Sequence, residues 1–143
     1  MAKNYTYKYE IKPTDDQIQK LVQQIGCNRK VYNTILSYSK LFYEATGSKL
    51  SSKEMSEHLT WLKGQNAFFY LNHVSSVSLQ QVIKDLESAY RNFFKHGSGF
   101  PQYKKKKYNG GFRVTNQRFR FDDEYIYIPK FREGIKCFFD KRK

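Results

Sequence analysis

The segment Gly97-Ser98-Gly99-Phe100-Pro101 constrains this chain more than any other feature, because no helix passes through it. Before it, apolar residues recur at helical spacing for most of 80 residues. After it, they alternate. A third texture stands at the start, where Tyr5, Tyr7, Tyr9 and Ile11 alternate with Thr6, Lys8 and Glu10. That two-residue period predicts a strand with one buried face, ended by Pro13. The order is therefore strand, helices, strands. The simplest architecture is α+β: the first strand joins the late ones in a small sheet or barrel, and the helices form an inserted bundle.

The helical part carries its own punctuation. Thr14 and Gln17 make a capping box, with Asp15 and Asp16 suited to a helix N-terminus. Ile18, Leu21, Val22 and Ile25 follow at helical spacing, and Gly26 is expected to break or kink the helix. A second run carries Val31, Ile35, Leu36, Tyr38, Leu41, Phe42 and Ala45 and stops at Gly47. Ser51 and Glu54 form another capping box, opening a short helix with Met55, Leu59 and Leu62 that closes near Gly64. Phe68 to Leu71 reads as a loop. Ser75 and Ser76 then cap a fourth helix, whose Leu79, Val82, Ile83, Leu86, Ala89, Tyr90 and Phe93 share one face. Beyond Gly110-Gly111, the alternation of Phe112, Val114, Phe119 and Phe121 predicts strands. Asp122-Asp123-Glu124 reads as a hairpin turn into Tyr125–Ile128, and Ile135–Phe139 as a last strand.

Charge points to a partner. The formal net charge is +13, and residues 91–143 hold 15 of the 26 Lys and Arg. Such an excess opposes the compact state by self-repulsion, which a polyanion relieves. Within it, Pro101–Phe121 interleaves Lys104, Lys105, Lys106, Lys107, Arg113, Arg118 and Arg120 with Tyr103, Tyr108, Phe112 and Phe119. Cations neutralise phosphates, and exposed aromatics stack on unpaired bases. The clustered bases favour phosphate contact, whereas the aromatics are expected in the core, with Phe119 and Phe121 turned inward as Arg118 and Arg120 turn out.

Catalytic signatures do not emerge. The acids sit in caps, on a helix surface and in a turn; His58, His73 and His96 are scattered; and the two cysteines, Cys27 and Cys137, have no metal-ligand spacing. No cofactor is expected. No apolar run approaches a membrane span and the start is no signal peptide, so a cytoplasmic location without membrane contact is expected.

A series of short blocks runs along the chain: Ile11-Lys12-Pro13-Thr14 with Gln17, Gly26-Cys27-Asn28-Arg29-Lys30-Val31-Tyr32-Asn33 and Ser78-Leu79-Gln80-Gln81. Asp85-Leu86 with Ala89-Tyr90-Arg91-Asn92-Phe93-Phe94, Gly99-Phe100-Pro101-Gln102-Tyr103-Lys104 and Ile126-Tyr127-Ile128-Pro129-Lys130 complete it. Together these blocks resemble the TnpB family of transposon-associated proteins, also called OrfB, which are RNA-guided nucleases related to type V CRISPR effectors. The resemblance implies a wedge-type β-barrel interrupted by a helical recognition lobe of about four helices: residues 1–13 as the first barrel strand, 14–96 as the lobe, and 97–143 as a basic loop with the remaining strands. It also implies two partners, a guide-type structured RNA and double-stranded DNA bearing a short adjacent motif.

Carried over by position, Ser52, Ser56, Ser76, Val77, Gln80, Thr115 and Asn116 would read that motif. Members often have larger Tyr or Lys residues where this chain has Ser52 and Ser76. Arg29, Asn33, Lys104 to Lys107, Arg113, Arg118 and Arg120 would contact RNA or phosphate. The family's RuvC-type nuclease domain and zinc-binding insert would lie beyond Lys143, so the expectation is a binding module without cleavage. A separate nuclease subunit would complete it. Two alternatives stand beside it: an RNA-independent DNA-binding regulator, and an interaction protein or inhibitor that mimics part of an RNA-guided nuclease or acts on such an effector.

Overall fold

A computed structural model of the chain describes residues 10–106, 120–122 and 124–138. Helix α1 spans Asp15–Thr46 and opens on the expected capping box: the Thr14 Oγ1 accepts from the Gln17 backbone N–H at 3.3 Å, and the Gln17 Oε1 accepts from the Thr14 N–H at 2.9 Å. It ends at Gly47, which adopts the left-handed conformation (φ 71°) that lets its N–H close onto the Tyr43 carbonyl.

Gly26 does not break this helix, against the sequence expectation. A single glycine costs helix stability without forbidding the conformation. Packing before and after it in sequence keeps the helix continuous, for Gln24, Cys27, Asn28 and Val31 are all buried along one face. Among the described residues, no atom outside the local helix backbone and the two chain neighbours lies within 4 Å of where a Gly26 Cβ would stand. Gly26→Ala is therefore expected to raise unfolding stability by about 0.5–1 kcal/mol in a urea titration, since the methyl meets no obstacle.

Helix α2 (Ser52–Lys63) carries the Ser51–Glu54 capping box and stops at Gly64. Residues Asn66–His73 form a 3-10 helix rather than the expected loop, with Leu71 buried beneath it. Side-chain anchorage explains the tight turn: the Asn72 Nδ2 donates to the carbonyls of Lys63 (2.9 Å) and Phe69 (3.0 Å). Helix α3 (Ser76–His96) is capped by Ser75, whose hydroxyl accepts from the Ser78 N–H at 3.3 Å, and ends at Gly97.

The three α-helices and the 3-10 helix share one core built on Ile35, Leu36, Leu50, Met55, Leu59, Leu71, Leu79, Ile83 and Leu86. Inside it, the Ser39 Oγ and the Tyr90 hydroxyl meet at 2.5 Å, tying α1 to α3. Burial pushes the Tyr90 hydroxyl above its ordinary pKa, as it does the Cys27 thiol. Cys27 and Cys137 are both buried and unlinked.

Strands β1 (Glu10–Lys12), β2 (Arg120–Asp122), β3 (Tyr125–Tyr127) and β4 (Ile135–Phe138) form an antiparallel sheet in the order β1-β4-β3-β2. The first strand thus pairs with the last, Ile11 opposite Cys137, and the β2–β3 hairpin turns where expected, Asp122 opposite Tyr125. Among the described residues the sheet is open. Two expectations fail on it: Ile11 and Phe121 are exposed, Phe121 at 49%, rather than facing a core. The buried residues here, Phe131, Ile135 and Cys137, come from β4 and the turn before it. Gly134 shapes that turn, since at φ 78° a Cβ would stand 2.7 Å from the Tyr127 ring. The turn docks on α1 through the Gln17 Nε2, which donates to the Gly134 carbonyl at 2.7 Å.

Candidate nucleic-acid interface

The basic segment is not a free loop where it leaves α3. Phe100 packs edge-on against Tyr90 and Phe93, and Pro101 is buried behind it. Tyr103 then shares a 2.9 Å hydrogen bond with Ser37, and the Lys40 ammonium lies 4.4 Å from its ring centre. At Lys104 the attachment becomes backbone-directed. The Asn33 Nδ2 donates to the Lys104 carbonyl at 2.9 Å, and the Lys104 N–H donates to the Asn33 Oδ1 at 2.8 Å. The order Lys40, Ser37, Asn33 along α1 against Phe100, Tyr103, Lys104 along the strap means that the strap runs antiparallel to the helix.

One amide thus holds both polar groups of one backbone residue, as a neighbouring strand would. The Lys104 ammonium lies 4.7 Å from the Tyr32 ring centre, and Lys105 and Lys106 are exposed. Arg29, half-buried one turn before Asn33, stands on the same side of α1. Asn33 therefore acts on the strap, with its amide engaged there. Replacing it with Ala should raise the hydrogen-exchange rate of the Lys104 amide about tenfold, the worth of one net hydrogen bond. Unchanged protection would show that the aromatic contacts alone hold the strap.

Tyr103 departs from the expected core placement. Its hydroxyl has a partner and one ring face a cation, so partial exposure carries little cost. Arg120 lies over the Tyr127 ring at 4.6 Å, on the sheet's exposed surface. Lys107, Arg113, Thr115, Asn116 and Arg118 lie outside the described residues, as do Tyr108, Phe112 and Phe119.

A second surface lies between α2 and α3. Ser52 and Ser56, four apart, share a face of α2, and Ser76 and Gln80 share one on α3. The structure brings two of these residues into contact: the Ser56 Oγ donates to the Gln80 Oε1 at 3.1 Å. Ser76 is exposed, while Ser52, Ser56, Val77 and Gln80 are half-buried.

Sequence reasoning missed what orients this surface. Gln24, only 3% exposed, accepts the Ser75 backbone N–H on its Oε1 at 2.7 Å and donates from its Nε2 to the Asn28 Oδ1 at 2.8 Å. A buried pair on α1 therefore holds the N-terminus of α3, where Ser76, Val77 and Gln80 begin. The available signal was the spacing of Gln17, Gln24 and Asn28, polar residues recurring on one helical face. Also missed was a ring stack in which His58 lies between Tyr38 (4.0 Å, 4° between planes) and Trp61 (5.5 Å, 19°). Burial there lowers the His58 pKa.

Comparison with known proteins follows the same lines. The OrfB/IS605 family model, described as a helix-turn-helix domain, matches residues 1–48. In the structure, residues 15–46 of that span are one uninterrupted helix. A protein of Streptomyces pristinaespiralis named as an RNA-guided DNA endonuclease is 33% identical over 130 residues, covering 90% of this chain and 32% of that protein. InsQ of Escherichia coli K12, similarly named, is 31% identical over 132 residues, covering 91% of the chain and 33% of its own length. The virulence protein VsdF of Salmonella dublin is 28% identical over 105 residues, 67% of this chain and 88% of that protein. The chain thus spans about a third of the length of the two endonuclease-named relatives.

Proposed function

We propose that this chain is the counterpart of the N-terminal portion of the TnpB/OrfB proteins, as the OrfB/IS605 match and the two endonuclease-named relatives support, and that it is a nucleic-acid-binding module that holds a guide-type structured RNA and motif-bearing duplex DNA without cutting either. Residues 1–13 and 97–143 would form the wedge, closing into a barrel, and residues 14–96 the recognition lobe.

The observation that carries this reading is the pinned strap. Asn33, Ser37 and Lys40 hold residues 100–104 along α1, so Lys104 stands on a pinned backbone, followed by the exposed Lys105 and Lys106, on the side of the helix that carries Arg29. Ordering the track beforehand reduces the entropy lost when it meets a phosphate backbone. Lys107, Arg113, Arg118 and Arg120 would extend it. Phosphate contacts of this kind set position and affinity, not sequence.

Sequence would be read by the α2–α3 surface. The hydroxyl of Ser56 holds the Gln80 oxygen, leaving the amide N–H groups as donors to a base edge. Ser52, Ser76 and Val77 flank it, and small residues there leave room for a groove wall to approach. Thr115 and Asn116 would complete the reading. Gln80→Ala should cost about 10- to 100-fold at one base position and little elsewhere, in a binding selection against a randomised duplex. A uniform loss across sequences would remove Gln80 from base reading. Electrophoretic and fluorescence titrations with RNA and duplex, each without added metal and then with it, test binding and cleavage together; strand scission by the purified chain contradicts the non-cleaving reading.

A further inference from the structure

The N-terminal half of α1 is inverted with respect to the usual preference of a helix. It buries Gln17, Gln24 and Asn28, and it exposes Ile18 at 45% and Val22 at 63%. The rotation is not loose, because Gln17 is bonded to the Gly134 carbonyl and Gln24 to the Ser75 N–H. Ile18, Val22, Ile25 and Arg29 follow at intervals of four, three and four, so they share one stripe along the helix. Ile25 is half-buried within it, and Leu21, also half-buried, flanks it. From Ile18 to Gly26 this face carries no charge, which disfavours a phosphate backbone as its occupant.

Gly26 adds a second observation. It stands beside the stripe inside a 32-residue helix, at a cost in stability, yet no packed neighbour among the described residues needs the space. A glycine in that position leaves a notch for something outside the chain. The stripe is also self-complementary. Asp15 and Arg29 lie seven residues either side of Val22, and Ile18 and Gly26 lie four either side. Two such helices, antiparallel with a two-fold axis at Val22, place each Asp15 against Arg29 of the other copy and each Ile18 against its Gly26 notch.

We propose that this stripe is a homodimer interface, occupied by a second copy of the chain in that antiparallel register. The arrangement is isologous, so one patch supplies the apolar contact, the notch and both ion pairs. It shares Arg29 with the phosphate track proposed above, so the second copy and a bound nucleic acid would compete for that side chain; its test uses no nucleic acid.

The test is sedimentation velocity of the purified chain over a series reaching about 100 µM, because a one-helix stripe belongs to the small, weak end of protein interfaces. The expected mass rises from 17.1 kDa toward twice that value with concentration. Asp15→Arg should return the chain to a monomer by setting like charges together, and Asp15→Arg with Arg29→Asp should restore the dimer. Gly26→Leu, which fills the notch, should abolish it while helical circular dichroism stays intact. Leu41→Asp, on the same helix and 65% exposed but off the stripe, should leave it unchanged. A monomer at every concentration overturns the proposal, and so does a dimer that the charge swap fails to restore or that Leu41→Asp dissolves.

Discussion

Replacing Lys104, Lys105 and Lys106 together with alanine is expected to weaken binding to RNA and to duplex DNA about 10- to 100-fold at low salt. The dependence of log affinity on log salt should become shallower by about 2–3, close to one unit for each phosphate that is no longer neutralised. Both changes should be the same for every sequence, because a lysine on a phosphate reads no base. The strap geometry makes the prediction sharp. Lys105 and Lys106 are exposed, and the Lys104 backbone is held by Asn33, so the substitution removes charge and the Lys104–Tyr32 contact while both backbone hydrogen bonds to Asn33 remain. Titrations across a salt series check it. An unchanged slope would take the strap out of the interface altogether.

Gln24→Leu is the second. A pattern of helical amphipathicity would favour leucine at a buried position, and volume alone would allow it. The structure predicts the reverse: a loss of about 2–4 kcal/mol, read as a lower urea midpoint. The substitution strands the buried Ser75 N–H and removes the Asn28 amide's partner, and unsatisfied buried groups cost about 1–3 kcal/mol each. Because Ser75 caps α3, sequence discrimination by Gln80 should also fall. A variant as stable as the parent would mean that α1 rotates to bring Val22 inward, and the inverted packing would then be wrong.

That inversion marks the limit of what the sequence made legible. Capping boxes at Thr14 and Ser51, the stops at Gly47, Gly64 and Gly97, and the apolar face of α3 are local chemistry, and they stand where the residues place them. The pairing of β1 with β4 followed from the order of textures. Gly26 misled because helix propensity is a small energy that tertiary contacts override. Ile18 and Val22 misled for a deeper reason. Periodicity says which residues share a face, but only the partners of that face, here the Gly134 carbonyl and the Ser75 N–H, say which face is buried. Of the proposed interface, charge singled out the strap and the resemblance singled out Ser56 and Gln80. Neither disclosed that Asn33 would hold the Lys104 backbone, since that hydrogen bond joins residues 71 apart in sequence.

The most direct test of the central claim is to sequence the nucleic acid that co-purifies with the chain from cells carrying its native locus. The expected result is enrichment of one structured RNA, which the Lys104–Lys106 alanine variant fails to retain. Recovery of DNA without RNA, or of RNA in proportion to its cellular abundance, would contradict it.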